Sequence, residues 1–419
     1  MRFERVEELR GMIAAKNAKG AKVDWKTVKL GEVSVDGGHY GIGAPAVEYD
    51  ERLPTYLRIT DIRDDGSICK EGLKSVDSEE AEEYYLKPND LVIARTGAST
   101  GRNYFYDGRD GNFVYAGFLI KFSIDENKIW PPYVKYWFKG NEYRSWLNNH
   151  TDGSTRANIN AVTLAECPIR VPEALPIQRK IAAVLGAIDD KIENNRKICA
   201  NLEAQAQALF KSWFVDFEPF GGKMPEGWKE VALSEIADYV NGLAMQKYRP
   251  KQGEDALLVL KIKELRQGYC DESSEECTAN ISTKYVVDDG DVVFSWSGSL
   301  LVDFWCGGKV GLNQHLFKVV SDKYSKWFVY SWTKFHLASF IKIAADKATT
   351  MGHITREHLE DAKVFVPSDF QLKALGEIIS PMYDKVIASR IQSRALAELR
   401  DALLPRLMSG EIDVSEVAV

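Results

Sequence analysis

The chain has 419 residues, a formal net charge of −7 and 45% apolar residues. It is too long for one ordinary domain, and no run of about 18 apolar residues marks a membrane span. The acidic balance argues mildly against nucleic acid as a partner without excluding it, because binding depends on where charge sits.

The first stretch, MRFERVEELRGMIAAKNAKGAK, is charged and lacks the apolar core of a secretion signal. A cytoplasmic protein is expected, with residues 1–24 as a helical extension. Six scattered cysteines (Cys69, Cys167, Cys199, Cys270, Cys277, Cys306) form no CxxC pair and suggest idle thiols rather than zinc or disulfides.

From DWKTVKLGEVSV onward the chain is rich in short segments of β-branched and aromatic residues, such as LVIARTG and YAGFLIKFSI. Bounded by Gly, Asn or Asp, they predict strands. WPPYVKYWFKGNEYRSWLNNH predicts aromatic-rich helix. Its WPPY begins with Trp130, where an amino-methyltransferase loop carries Asn or Asp, so it predicts a helix start with Pro near the first turn. KIAAVLGAIDDKIENNRKICANLEAQAQALFKSWF (180–214) predicts a long amphipathic helix, and DFEPFGGKMPEGW (216–228) a linker.

The segment after the linker repeats the segment before it. Trp25 aligns with Trp228, Leu30 with Leu233 and Glu32 with Glu235, all 203 positions apart. NDLVIARTG aligns with GDVVFSWSG at offset 201, and STRANI with TTMGHI at offset 195. The matches are collinear and the offset drifts by small gaps, so the chain is a tandem duplication with diverged halves. KWFVYSWTKFHLASFIKIAA predicts a helix in the second half, and residues 370–412 a second long helix.

The two long helices carry an alternating four-three apolar pattern. In the first it runs through Ile181, Leu185, Ile188, Ile192, Asn195, Cys199, Leu202, Ala206, Leu209 and Trp213. In the second it runs through Leu375, Ile379, Met382 and Val386, weakens at Ser389 and Ser393, and resumes at Leu396, Leu403 and Leu407. Such seams predict either helices packed on their own domains or an antiparallel coiled coil. The coiled-coil reading is preferred; about 35 residues at 1.5 Å each make a rod of about 50 Å.

No catalytic constellation emerges. There is no GxSxG, no Walker A loop and no glycine turn for S-adenosylmethionine. His353 and His358 are five apart, unlike the zinc-binding HExxH. No metal site is expected.

Two related domains and two long helices resemble the specificity subunit of type I restriction-modification enzymes. The resemblance rests on PEGWKEVALSEIA, DLVIARTG, DGSTRANI, LPIQRKIAAVLGAIDDKIENN and LLPRLMSGEI, in an order that occurs twice. It implies an α+β chain with two tandem α/β target recognition domains (25–173 and 216–369). Two antiparallel coiled-coil helices (174–215 and 370–412) would separate them, before a tail of 413–419. It further implies that each domain reads half of a split, asymmetric double-stranded DNA site. The helices would dock two adenine-N6 methyltransferase subunits, and a restriction-translocase subunit would join. The chain itself would be non-catalytic and bind no cofactor; S-adenosylmethionine, ATP and Mg2+ would serve the partners. Rival readings are a fused methyltransferase or nuclease with unfamiliar motifs, a coiled-coil adaptor, an antirestriction decoy, or the specificity chain of a fused restriction-methylation enzyme.

Glycine-flanked polar loops are the candidate DNA contacts. In the first half they hold Arg95, Thr96, Ser99, Thr100 and Arg102, then Ser154, Thr155, Arg156 and Asn158. In the second they hold Gln246, Lys247, Tyr248, Arg249 and Lys251, then Ser297, Ser299, Lys347, Thr349, Thr350 and His353. The bland alternatives are a strand-end turn for ARTG and a helix cap for DGST.

Overall fold

The computed structural model describes residues 23–151, 157–346, 352–415 and 417. Nearly all of the expected 1–24 extension, and candidates Ser154, Thr155, Arg156, Lys347, Thr349 and Thr350, lie outside the described residues. The chain forms two compact units, one of residues 1–190 with 397–419 and one of residues 191–396. Both long helices are therefore shared between units.

Among the described residues, the first unit has ten strands: β1 (Trp25–Lys29), β2 (Ser34–Tyr40), β3 (Ala46–Val47), β4 (Thr55–Leu57), β5 (Lys74–Val76), β6 (Asp90–Ala94), β7 (Asn103–Tyr106), β8 (Phe113–Tyr115), β9 (Leu119–Ile124) and β10 (Pro168–Pro172). They form a β1-β10 pair, a β2-β9-β6-β7 sheet and a β3-β5-β4-β8 sheet. Helices α1 (Pro131–Trp137) and α2 (Asn141–His150) come after β9. Trp130 is the N-cap of α1 and proline occupies its first turn, so WPPY is a helix start.

The second unit has β11 (Lys229–Ala232), β12 (Asp238–Asn241), β13 (Ala256–Leu260), β14 (Glu276–Thr278), β15 (Val286–Val287), β16 (Val292–Ser295), β17 (Leu301–Phe304), β18 (Val310–Leu312), β19 (Leu316–Val320) and β20 (Lys363–Val366). Its sheets are β11-β20, β12-β19-β16-β17 and β14-β13-β18-β15. The duplication is thus one of topology: β4 runs parallel to β8, and β13 parallel to β18.

The two central strands show why the patterns match. Every residue of β6 and of β16 is buried, which a run of DLVIA or VVFS can satisfy. Each is entered by a tight turn with a left-handed residue, Asn89 at φ 76° and Gly290 at φ 82°. Asn tolerates that conformation and Gly adopts it freely, so the two turns keep one shape. Asp90 and Asp291 close those turns, accepting from the Lys87 and Asp288 amides at 2.8 and 2.9 Å.

The long helices are α3 (Leu175–Phe210), which runs on as a π-helical turn over Lys211–Val215, and α5 (Asp369–Met408), which ends short of the expected 412; between them α4 (Lys326–Asp346) serves the second unit. In the first unit, Ile181, Leu185 and Ile188 of α3 and Leu403 and Leu407 of α5 are buried. Asp189 accepts from Arg400 at 3.0 Å and from the Tyr136 hydroxyl at 3.0 Å, with Lys135 and Lys139 at 3.6 and 3.7 Å. Burial alone would raise this carboxyl, but Lys139, Lys135 and Arg400 overrule it and hold it down at about 2. Burial pushes the Lys139 ammonium the other way, below its ordinary value.

In the second unit, Ile192, Asn195, Cys199, Val386 and Leu396 are buried. Asn195 reaches Ser389, Gln392 and Ser393, while Cys199, one turn further, reaches Val386. Partner numbers fall as helix numbers rise, so the pairing is antiparallel. The seam expectation needs one correction. Leu209, Leu375, Ile379 and Met382 belong to or pack on the domain core with Phe210, Phe214, Trp327 and Trp332, because the adjoining ends of α3 and α5 lie on that core. Leu202 is half-buried. Helix pairing and packing on the domain therefore coexist.

Candidate nucleic-acid interface

In the first unit, β6 ends and the chain continues through Arg95 and Thr96 into a short 3-10 turn, Gly97–Ser99. Backbone bonds tie this exit to two other segments. The Arg95 amide donates to Phe118 at 3.0 Å, the Ile159 amide to Arg95 at 2.9 Å, and the Gly97 amide to Ala157 at 3.0 Å. Thr96 and Asn158 form an antiparallel bridge. The two loops singled out in sequence are thus one paired surface.

The second unit repeats the frame. The Ile354 amide donates to Trp296 at 3.1 Å and the Gly298 amide to Gly352 at 2.9 Å. Ser297 and His353 form the matching bridge. Gly41 and Gly242 hold the neighbouring turn at equivalent places: a Cβ would stand 2.3 Å from the Tyr115 carbonyl oxygen in one and 2.2 Å from that of Asn313 in the other. Only glycine permits this approach.

Side chains on the two frames differ. The Arg95 guanidinium lies 4.8 Å from the centre of the exposed Tyr40 ring, a cation–π arrangement. Arg95 Nε is buried without a hydrogen-bond partner among the described residues. Phe118, whose carbonyl accepts from Arg95, is 61% exposed. Asn158 is exposed and Thr96 half-buried. In the second unit Trp296 stands where Arg95 does. Its Nε1 donates to Asn241 at 3.2 Å, its ring stacks on Phe317, and His315 and His353 flank it at 6.2 Å.

Several candidates are committed elsewhere. Ser99 is buried and cannot face a ligand. Thr100 donates its hydroxyl to the Gly97 and Ala157 carbonyls, bracing the loop pair. Arg102 is ion-paired to Asp64 at 2.6 Å, which its position 38 residues away concealed. Ser297 is buried and bonds His315 Nδ1 at 3.0 Å. Arg249 pairs with Glu275 at 2.7 Å, and that carboxyl is held below its usual range by Lys261 first and Arg249 after. Lys251 gives its amide to Glu254. Gln246, Lys247, Tyr248 and Ser299 are exposed. The same frames also carry Phe118, Asn241, Trp296 and His315, which are not among the sequence candidates, and Tyr40, which lies in the glycine-rich loop DGGHYGIG (36–43); the one available signal was a polar or aromatic residue beside a turn glycine, as in Tyr40-Gly41 and Asn241-Gly242.

The sequence model described as "Type I restriction modification DNA specificity domain" matches residues 22–204 and again 225–395. This chain belongs to that family. The MjaIX specificity subunit of a type I restriction enzyme from Methanocaldococcus jannaschii is 29% identical over 314 residues, covering 70% of this chain and 72% of that protein. The HindI specificity subunit from Haemophilus influenzae is 21% identical over 401 residues, covering 78% and 87%. The crystal structure of a type I system S subunit from M. genitalium shares the fold at 15% identity and a TM-score of 0.55, covering 93% of this chain and 98% of that one. The two family matches fall one on each repeat, so the duplication seen in sequence is a duplication of the type I specificity domain. Among the described residues, no helix is long and apolar enough to cross a membrane, and no cluster of three or more His, Cys, Asp or Glu is arranged to hold a metal ion.

Proposed function

We propose that this chain is the DNA-reading subunit of a type I restriction-modification complex, with each specificity domain reading one half of a split, asymmetric site. The observation that carries this reading is one backbone frame built twice with unlike side chains upon it: Arg95 and Asn158 in one domain, Trp296 and His353 in the other. Two readers of one shape but different chemistry suit two different short sequences. The chain contributes no catalytic group. Antiparallel helices of 36 and 40 residues serve as the spacer and as the docking surface for two adenine-N6 methyltransferase subunits, with restriction-translocase subunits joining for cleavage. S-adenosylmethionine, ATP and Mg2+ are used by those partners, in the cytoplasm.

The net charge of −7 fits a reader that shares phosphate contact with its partners. The test is a genome-wide map of N6-methyladenine with and without the gene. Loss of one bipartite motif, two short specified blocks around unspecified bases, supports the reading. An unchanged map in a host with an active methyltransferase partner contradicts it.

A further inference from the structure

We infer that four equivalent positions in each domain form its base-reading patch, and that Arg95 reads a guanine. In the first domain they are Tyr40, Arg95, Phe118 and Asn158. In the second they are Asn241, Trp296, His315 and His353. The inference rests on the proposed DNA-reading function and assigns its specificity to named side chains.

The backbone establishes that the positions are equivalent. Gly41 donates to Leu119 and Gly242 to Leu316, which sets Tyr40 against Asn241. The turn closed by Leu119 on Ala116 matches that closed by Leu316 on Asn313, which sets Phe118 against His315. The bonds of Ile159 to Arg95 and Ile354 to Trp296 set Arg95 against Trp296, and the adjacent bridges set Asn158 against His353.

Between the halves, four residues of this frame are identical, and those displayed on it are not. Gly41, Gly97, Leu119 and Ile159 face Gly242, Gly298, Leu316 and Ile354, identical at every position. All four displayed positions differ. Folding demands explain the first set, since the leucines and isoleucines are buried and the two later glycines have φ of 71° and 65°. The second set is less constrained, its members being exposed or half-buried, although the Tyr40 hydroxyl accepts from the Ala161 amide at 3.2 Å and Trp296 also packs on the domain core.

The chemistry displayed is that of base recognition. Arg95 carries a planar fork matching the O6 and N7 acceptors of guanine in the major groove. Stacking on Tyr40 and backbone bonds on both sides hold its base in place, which lowers the entropy lost on binding. Trp296 offers no such fork; it is an indole fixed by Asn241 between two imidazoles. The two patches therefore select different bases, and the site is asymmetric for this reason.

The full chain, co-produced with its methyltransferase partner in a host lacking N6-adenine methylation, tests this by mapping methylated motifs. The unaltered chain must first give a bipartite motif; if it gives none, the DNA-reading function itself fails and this inference with it. Given that motif, R95A is expected to lose about ten- to hundredfold of discrimination at one guanine in one half, leaving the other half unchanged. R95K keeps the charge without the fork and is expected to relax the same position, which separates misfolding from lost reading. W296A is expected to alter only the opposite half. An R95K motif as stringent as the unaltered one, or an R95A change in both halves, overturns the assignment.

Discussion

The side-chain nitrogen of Asn195 lies 3.0 Å from Oε1 of Gln392, in a helix seam whose apolar run Ser389 and Ser393 interrupt. The same nitrogen approaches the Ser389 carbonyl at 3.3 Å and the Ser393 hydroxyl at 3.2 Å. A buried polar residue at such a position costs stability unless paired, and all three partners are met together in this register. Sliding either helix by one turn would lose the Gln392 contact and leave only one of the two serines opposite the amide. Asn195 thus makes the register of this pair specific.

Asn195→Ala removes that amide and leaves its partners short of a donor. It should destabilise the second unit by about 1–3 kcal/mol. Denaturant unfolding followed by tryptophan fluorescence checks this; an unchanged midpoint would count against the lock.

Asp189 is the second such device. Its folded carboxyl titrates at about 2, below the ordinary value of 3.8, so the unfolded chain binds more protons between those values. The resulting stability is present above about pH 4 and is lost as pH falls through about 2. Asp189→Asn should abolish that acid dependence and, by leaving Lys135, Lys139 and Arg400 facing one another, cost about 3–5 kcal/mol at neutral pH. Thermal melts of both proteins across this range decide the matter.

Gly41→Ala and Gly242→Ala place a methyl group within 2.3 Å and 2.2 Å of a carbonyl oxygen. Each backbone must shift to accommodate it, and a loss of about 1–3 kcal/mol is expected at either site. Equal falls in melting temperature would match the equivalent architecture; no fall at either would contradict the close approach.

Leu202→Pro removes the bond from residue 202 to the Ile198 carbonyl within α3 and costs about 3 kcal/mol in the helix. Co-purification with the methyltransferase partner should be lost while each specificity domain still folds. A complex of normal stoichiometry would refute the spacer role.

Exchanging residues 25–173 for the same segment of a relative should change one half of the methylated motif. Change in both halves would show that the domains do not read independently.

The duplication, the two long helices and the strand runs of β6 and β16 were legible from residue order alone. Each depends on local periodicity or on pairwise likeness at a fixed offset, and neither requires knowing what the chain folds against. The loops ARTG and ANIN were also visible as candidates, through their glycine and polar content. Sequence could not say that Thr96 pairs with Asn158, that Asp64 occupies Arg102, that Ser99 is buried, or that Asn241 braces Trp296 from 55 residues away. Nor could a heptad pattern tell that Ile379 joins the domain core, because a four-three repeat marks an apolar face without naming what covers it. Local pattern determined the elements and their repetition; long-range packing decided which polar side chains are spent on the fold and which remain displayed, since burial and ion pairing arise only when distant segments meet.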